Sequence, residues 1–244
     1  MTTFKLALSF LTRLPIGHLE ALDENHWPES MAFFPACGLI LSLLVFAPTL
    51  LLLHCTHLSP ITAAALAAVL LIYWTGGLHI DGFADCCDGF GCPADREKCR
   101  QIMKDPTIGS FAAAGLIGLL ILKTTAIAQV FTQPAVIPLI YIPAAARFIP
   151  VLLSRIGTYP NSSGIGKFTV GKVGTRVVLS AFITLLPMFI YPKTLAAFAV
   201  MLFASVLLKR KSDRLIGGIT GDVLGAAIEL SETVGFVTLS LFAN

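Results

Sequence analysis

The chain has 244 residues, of which 56% are apolar and only 13% are charged. Soluble domains usually carry about 25% charged residues, so this composition excludes an ordinary soluble fold and predicts an all-α, polytopic integral membrane protein. The formal net charge of +3 is distributed over several short loops, which indicates no nucleic-acid partner and leaves the lipid bilayer as the expected surroundings.

Seven segments are long and apolar enough to cross a bilayer of roughly 30 Å. The fifth and sixth are short and are separated only by Pro192 and Lys193, so they also fit a single helical hairpin. We therefore expect a helical bundle of about seven spans. In chain order the segments are residues 31–53, 60–79, 109–131, 134–153, 175–191, 194–208 and 215–242.

Basic residues fall into four groups, and the connections that alternate with these groups are nearly free of them. The connections 54–59, 132–134 and 192–193 contain a single basic residue, Lys193. The positive-inside rule therefore places the four groups and the N-terminus in the cytoplasm. We expect a multi-pass protein of the cell (inner) membrane. The four groups are Lys5 and Arg13, residues 96–104, residues 155–176 and residues 209–214.

Three aspartates follow directly after the second apolar segment. Asp81, Asp85 and Asp88 stand at positions i, i+4 and i+7, a spacing that puts all three on one face of a helix. Like charges this close repel each other unless a cation lies between them. Oxygen ligands favour Mg²⁺ or a similar hard ion. The alternative is a solvated acidic cluster that caps the helix.

A second acidic set lies within the last apolar segment. Asp222, Glu229 and Glu232 stand at i, i+7 and i+10, again on one helical face. Carboxylates in a spanning segment are costly, so their default interpretation is functional; the alternative is a membrane-surface helix with a wet acidic face. Lys123 and Arg147 also lie within apolar segments, where we expect them to pair with carboxylates. The predicted metal ligands are Asp81, Asp85, Asp88, Asp222, Glu229 and Glu232.

The remaining candidates are residues that could contact a phosphate or move a proton. Arg100 and Lys104 precede the third apolar segment, and Lys167 lies in a loop rich in glycine and serine, 157–174. All three are candidate phosphate-binding residues, although positive-inside topology and a flexible loop explain them equally well. His79 stands two residues before Asp81, where it is a candidate base or hydrogen-bond donor.

Four stretches of this sequence closely resemble the cobalamin synthase (adenosylcobinamide-GDP ribazoletransferase) family. They are residues 10–15, 76–89, 103–109 and 218–226, and they occur in the family's order over nearly the whole chain. The departures are Cys86-Cys87, where small residues are usual, and Pro106, where serine is usual. The CDP-alcohol phosphotransferase and intramembrane prenyltransferase patterns fit these aspartates less well.

The resemblance implies a Mg²⁺-dependent transferase that joins adenosylcobinamide-GDP to α-ribazole or its 5′-phosphate. GMP leaves, and adenosylcobalamin or its 5′-phosphate forms, in the last assembly step of cobalamin biosynthesis. Residues 1–244 would then be one membrane-embedded catalytic domain with its active site on the cytoplasmic side. The alternatives are a CDP-alcohol phosphotransferase-like enzyme and a transporter, and the sequence leaves open whether protomers form a homo-oligomer. The candidate catalytic residues are His79, Asp81, Asp85 and Asp222.

Overall fold

The computed structural model describes residues 2–17, 23–91, 95–133, 136–160 and 164–242. Within these ranges the regular secondary structure is entirely helical, which confirms the all-α prediction. The α-helices in chain order are α1 (Thr2–Leu11), α2 (His26–Ser30), α3 (Phe34–Cys55), α4 (Pro60–Trp74), α5 (Leu78–Gly91), α6 (Arg96–Ile102), α7 (Ser110–Phe131), α8 (Ile137–Ile156), α9 (Thr175–Ile183), α10 (Pro192–Ile216) and α11 (Gly221–Ser240).

Five helical stretches in the described ranges are long and apolar enough to cross a membrane: His26–Cys55, α7, α8, α10 and α11. The count rises to six if α4 and α5, which meet at a bend of 93°, form one broken span. The expected number of about seven is therefore only approximate. The predicted segment 175–191 is divided between α9 and a short 3-10 helix, Leu186–Ile190. Pro187 lacks the N–H that would continue an α-helix here.

Helices α8 and α11 form the middle of the bundle and are buried along most of their length. Helix α11 packs against α5, α7, α8 and α10. The outer helices instead expose large apolar side chains, including Ile117 and Ile121 of α7 and Phe203 of α10. Such side chains are stable in contact with lipid tails, because the tails are as apolar as the side chains. The exposed apolar surface therefore supports a multi-pass membrane protein.

The sharp bend between α4 and α5 is built from two glycines. Gly76 and Gly77 have φ angles of 67° and 76°, a left-handed conformation that other residues adopt only at a cost. The N-terminal segment is tied to this turn, because the backbone N–H of Arg13 donates to the carbonyl of Trp74 at 2.8 Å. The turn redirects the chain immediately before the three aspartates, so that α5 crosses the bundle rather than extending α4.

Candidate active site

A cleft of about 760 Å³ lies beside α5, and we call it the acidic cleft. Asp81, Asp85 and Asp88 all line it, which confirms that their spacing places them on one helix face. The facing wall is formed by residues 103–108, which connect α6 to α7, and by apolar side chains of α7. The cleft therefore combines three carboxylates with an apolar side and a short polar loop.

The structure brings Asp222 of α11 against this group. A Cβ atom on Gly82 of α5 would lie 2.7 Å from the backbone oxygen of Asp222, so only glycine permits the two helices to approach this closely. Asp222 accepts a hydrogen bond from the Thr220 hydroxyl at 3.3 Å. Among the described residues, no lysine, arginine or histidine forms an ion pair with Asp222 or with the three aspartates of α5. Within the described part of the chain, no direct ion pair therefore offsets their negative charge.

The donor set of this cluster fits a hard divalent cation. Carboxylate oxygens are the ligands that Mg²⁺ prefers in proteins, and Asp81, Asp85 and Asp222 offer them without a competing basic side chain. Over the part of the chain that the structure describes, no three His, Cys, Asp or Glu side chains already converge as metal ligands. Asp81 and Asp85 are one helical turn apart, with Cβ atoms about 6 Å from each other. Rotation about side-chain bonds would bring both carboxylates to one cation.

Asp88 has a structural task that the sequence pattern did not reveal. Its two carboxylate oxygens accept hydrogen bonds from the backbone N–H groups of Gly109, at 2.7 Å, and Ala112, at 2.8 Å. These N–H groups belong to the N-terminus of α7, where they have no partner within the helix. Asp88 therefore caps α7 from a different helix. Since each carboxylate oxygen has a further lone pair, the cap leaves room for a metal contact.

A second cavity, of about 310 Å³, lies on the other side of Asp81, and we call it the aromatic cavity. Asp81 and Leu78 line both cavities, so the two cavities meet at this part of α5. His79 and Asp222 also line the aromatic cavity, at the α5–α11 contact. Its aromatic wall comes from the N-terminal helices and from the loop after α8, and consists of Phe10, Trp27, Phe34 and Tyr159.

The hydrogen bonding of His79 favours a donor role. The side chain is only 2% exposed, and its Nδ1 lies 3.4 Å from an amino nitrogen of Arg147. A guanidinium only donates hydrogen bonds, so Nδ1 is assigned as the acceptor and the ring proton lies on Nε2. Among the described residues Nε2 has no hydrogen-bond partner. The buried Nε2 of His79, a residue that lines the aromatic cavity, thus carries an N–H without an acceptor rather than a vacant lone pair.

Glu229 and Glu232 are separated from the acidic cleft. They lie about 10 Å and 15 Å along α11 from Asp222 and pair with cations in the bundle interior. Lys123 contacts both carboxylates, with its Nζ 2.9 Å from Glu232, and Arg147 contacts Glu232. The predicted pairing of these two cations with carboxylates is confirmed. We call the four side chains the buried ionic network; their formal charges sum to zero, so the glutamates need no metal for charge balance.

The candidate phosphate-binding residues occupy different places. Lys104 is exposed and lines the acidic cleft. Arg100 and Lys167 line neither cavity: Arg100 lies 3.7 Å from Glu97, and the Lys167 ammonium lies 5.2 Å from the centre of the Phe168 ring. Of the three candidate phosphate-binding residues, the structure therefore brings only Lys104 to the carboxylates.

A cation that sequence reasoning did not select lies beside the acidic cleft. Arg13 is exposed and sits over the ring of Tyr73, 5.7 Å from its centre. Its Nε is 3.0 Å from where a Cβ on Gly76 would stand, and Gly76 lines the cleft. The signals in the sequence were the position of Arg13 in the first of the four family-like stretches and in the first of the four basic groups.

The loop facing α5 adds a further carboxylate at the rim. Asp105 accepts hydrogen bonds from the Thr107 hydroxyl and, at 2.9 Å, from the Thr107 backbone N–H. These two bonds hold the pKa of Asp105 below its usual value. Asp105 therefore stays ionised at neutral pH, beside Lys104 in the cleft lining.

Unpaired carboxylates gather near the N-termini of α7 and α11, in an otherwise apolar helical bundle with a lysine at the cleft. Carboxylates gathered in this way are typical of enzymes that handle phosphate-bearing substrates with a divalent metal. The chain belongs to the cobalamin-5-phosphate synthase family, whose model matches residues 3–240.

Relatives named adenosylcobinamide-GDP ribazoletransferase match along nearly their whole length. The protein of Acinetobacter baumannii (strain ATCC 17978) is 34% identical over 240 residues, covering 96% of this chain and 95% of the relative. That of Clostridioides difficile (strain 630) is 32% identical, covering 99% and 98%. That of Brevibacillus brevis is 34% identical, covering 98% of each. No solved structure matches the chain.

Proposed function

We propose that this protein joins adenosylcobinamide-GDP to α-ribazole or its 5′-phosphate, releasing GMP and completing adenosylcobalamin or its 5′-phosphate. The observation that carries the proposal is the gathering of Asp81, Asp85 and Asp222, without basic partners, where two cavities meet. Two cavities that share one carboxylate suit a reaction between two substrates. The names of the relatives and of the family agree with this reaction.

The group implied by the carboxylates is Mg²⁺, held by Asp81, Asp85 and Asp222, with Asp88 contributing a free lone pair. When bound, Mg²⁺ neutralises charge on the pyrophosphate oxygens as the phosphoryl group is transferred. Glu229 and Glu232 are left out of this set because the buried ionic network already balances their charges.

The chain's own residues position the nucleophile and accept its proton. The ribose hydroxyl of α-ribazole attacks the phosphorus attached to the cobinamide, forming a new P–O bond as the P–O bond to GMP breaks. Asp81 lies between the cavities and accepts the hydroxyl proton, because the ring proton of His79 already occupies Nε2. The N–H of His79 donates to an oxygen of the bound substrate.

Cations at the acidic cleft bind the departing nucleotide. Lys104 lines the cleft, and Arg13 stands at the neighbouring glycine turn; both are placed to neutralise phosphate oxygens of the GMP portion. Arg100 and Lys167 line neither cavity, so we assign them no substrate contact.

The distribution of charge supports a proposal for the location of the protein. The basic side chains of α6 lie near the end of α10, where the Arg96 guanidinium donates to the Arg214 carbonyl at 3.2 Å. Lys104 and the acidic cleft lie at this same end of the bundle. The positive-inside rule favours the cytoplasmic side of the inner membrane for it. We infer that residues 1–244 act as one membrane-embedded catalytic domain.

The test is GMP release from purified protein given both substrates, with and without Mg²⁺. Asp85→Asn is expected to lower the rate at least about 100-fold, because it removes a charged ligand of the proposed Mg²⁺, whose charge would stabilise the transition state. Asp213→Asn is the control, since Lys209 on α10 is the one ion-pair partner of Asp213 among the described residues. Normal turnover by Asp85→Asn would contradict the proposal. Turnover of a CDP-activated alcohol without GMP release would favour a lipid phosphotransferase, and substrate flux without chemistry would favour a transporter.

A further inference from the structure

We propose that the aromatic cavity binds the benzimidazole base of α-ribazole, while the acidic cleft binds the diphosphate of adenosylcobinamide-GDP. This assignment rests on the proposed function and adds to it which substrate occupies which cavity.

The wall of the aromatic cavity has the character of a stacking site. Phe10 meets Trp27 edge to face, with ring centres 5.7 Å apart and planes at 88°, and lies nearly parallel to Phe34 at 6.3 Å. Tyr159 contributes a fourth ring from the loop after α8. Rings in these orientations offer both faces and edges to a flat aromatic ligand. A planar base gains most from such a wall, because it stacks without needing specific hydrogen bonds.

Charge separates the two cavities. The described lining of the aromatic cavity contains no lysine and no arginine, whereas Lys104 lines the acidic cleft. A diphosphate is therefore unsuited to the aromatic cavity, while an uncharged base is suited to it. The volumes agree with this assignment. The aromatic cavity, at about 310 Å³, matches the low end of the volumes of small-molecule sites, and the acidic cleft, at about 760 Å³, is the larger of the two.

The polar end of the aromatic cavity sets the orientation of the ligand. His79, Asp81 and Asp222 line it, and the Nε2 of His79 is buried without a partner among the described residues. A buried N–H without an acceptor is unfavourable, so a ligand oxygen is expected at this end. A base against the aromatic wall would direct its ribose toward Asp81, the carboxylate that lines both cavities.

Tryptophan fluorescence tests the assignment without relying on activity. The chain has two tryptophans, Trp27 in the cavity wall and Trp74 at the end of α4. In the Trp74→Phe variant, adding α-ribazole alone is expected to change the remaining Trp27 emission saturably. In the matched Trp27→Phe variant, the same additions are expected to change the emission only by the absorbance of the ligand.

Steady-state kinetics provide a second readout. Trp27→Leu is expected to raise the KM for α-ribazole about tenfold, because the base loses one stacking partner. The KM for adenosylcobinamide-GDP is expected to change by less than about twofold. Phe33→Leu is the control, because Phe33 packs against Phe4 and does not line the cavity. Thermal unfolding of both variants in detergent shows whether either is merely less stable.

The outcomes separate this assignment from the function on which it rests. A Trp27 signal that responds to GMP instead of α-ribazole would overturn the assignment in favour of the guanine base. GMP release with an unresponsive Trp27 and an unchanged KM for α-ribazole would overturn the assignment alone. Absence of GMP release under all conditions would refute the proposed function, and the assignment with it.

Discussion

The buried ionic network allows a quantitative prediction about stability. Lys123, Arg147, Glu229 and Glu232 are each 4% exposed or less, and their formal charges cancel. Glu229→Gln would leave one net positive charge in this interior, and Lys123→Met would leave one net negative charge. Breaking a buried ion pair from one side costs about 3–5 kcal/mol, while insertion scales give about 3 kcal/mol for a charge at the centre of a spanning helix. We therefore expect each single variant to lose about 3 kcal/mol.

The double variant Lys123→Met/Glu229→Gln provides the decisive comparison. It removes one positive and one negative charge together and leaves the Arg147–Glu232 pair intact. We expect its free energy of unfolding to exceed the value expected from adding the two single losses by about 2–3 kcal/mol. The measurement is equilibrium unfolding in mixed detergent, followed by circular dichroism, for the wild type, both single variants and the double variant.

An exposed lysine–carboxylate pair serves as the control. Lys209 and Asp213 lie one turn apart on α10, with Nζ 2.6 Å from the carboxylate, and both are partly exposed. Lys209→Met and Asp213→Asn should each change the free energy of unfolding by less than about 0.5 kcal/mol. If the losses in the Lys123–Glu229 set were additive, or no larger than this control, the argument from uncompensated buried charge would be refuted.

Three further predictions concern the site. Gly82→Ala should destabilise the protein by about 1–3 kcal/mol and reduce GMP release, because its Cβ would stand 2.7 Å from the Asp222 backbone oxygen. The control is Gly118→Ala on α7, where a Cβ would have no atom within 4 Å, and it should change neither the stability nor the rate of GMP release. Arg13→Met should raise the KM for adenosylcobinamide-GDP about tenfold but not that for α-ribazole, and equal KM values before and after the change would contradict the assigned role. Chelation should abolish GMP release reversibly, with recovery on adding Mg²⁺ but not K⁺; full activity in excess chelator would exclude the metal.

The sequence predicted those parts of the fold that depend on local pattern. Composition and apolar length identified the long helices, and the spacing of Asp81, Asp85 and Asp88 identified their shared face. Both signals are local, since helical periodicity and hydropathy act over a few turns. The break within 175–191 was not predicted, because an apolar run interrupted by Pro187 has the same mean hydropathy as a continuous span.

Pairings between distant segments lay beyond the sequence pattern. Asp88 caps α7 through residues 21 and 24 positions away, and Glu229 pairs with Lys123 across 106 positions. Each carboxylate was expected to bind metal because charge and spacing alone do not distinguish a metal ligand from a cap or an ion pair. Packing decides between these roles, and packing of distant helices is not encoded in spacing along one helix.

The buried ionic network also has a consequence for the order in which the protein assembles. Lys123 and Arg147 belong to α7 and α8, which leave the ribosome before α11, and the carboxylates that they contact both belong to α11. Until α11 arrives, two cations stand in apolar helices without these partners. Translation of α11 is therefore the step that supplies these partners. A nascent chain stopped after α10 would leave these two cations within the membrane without their carboxylate partners. We expect proteases to recognise such a chain.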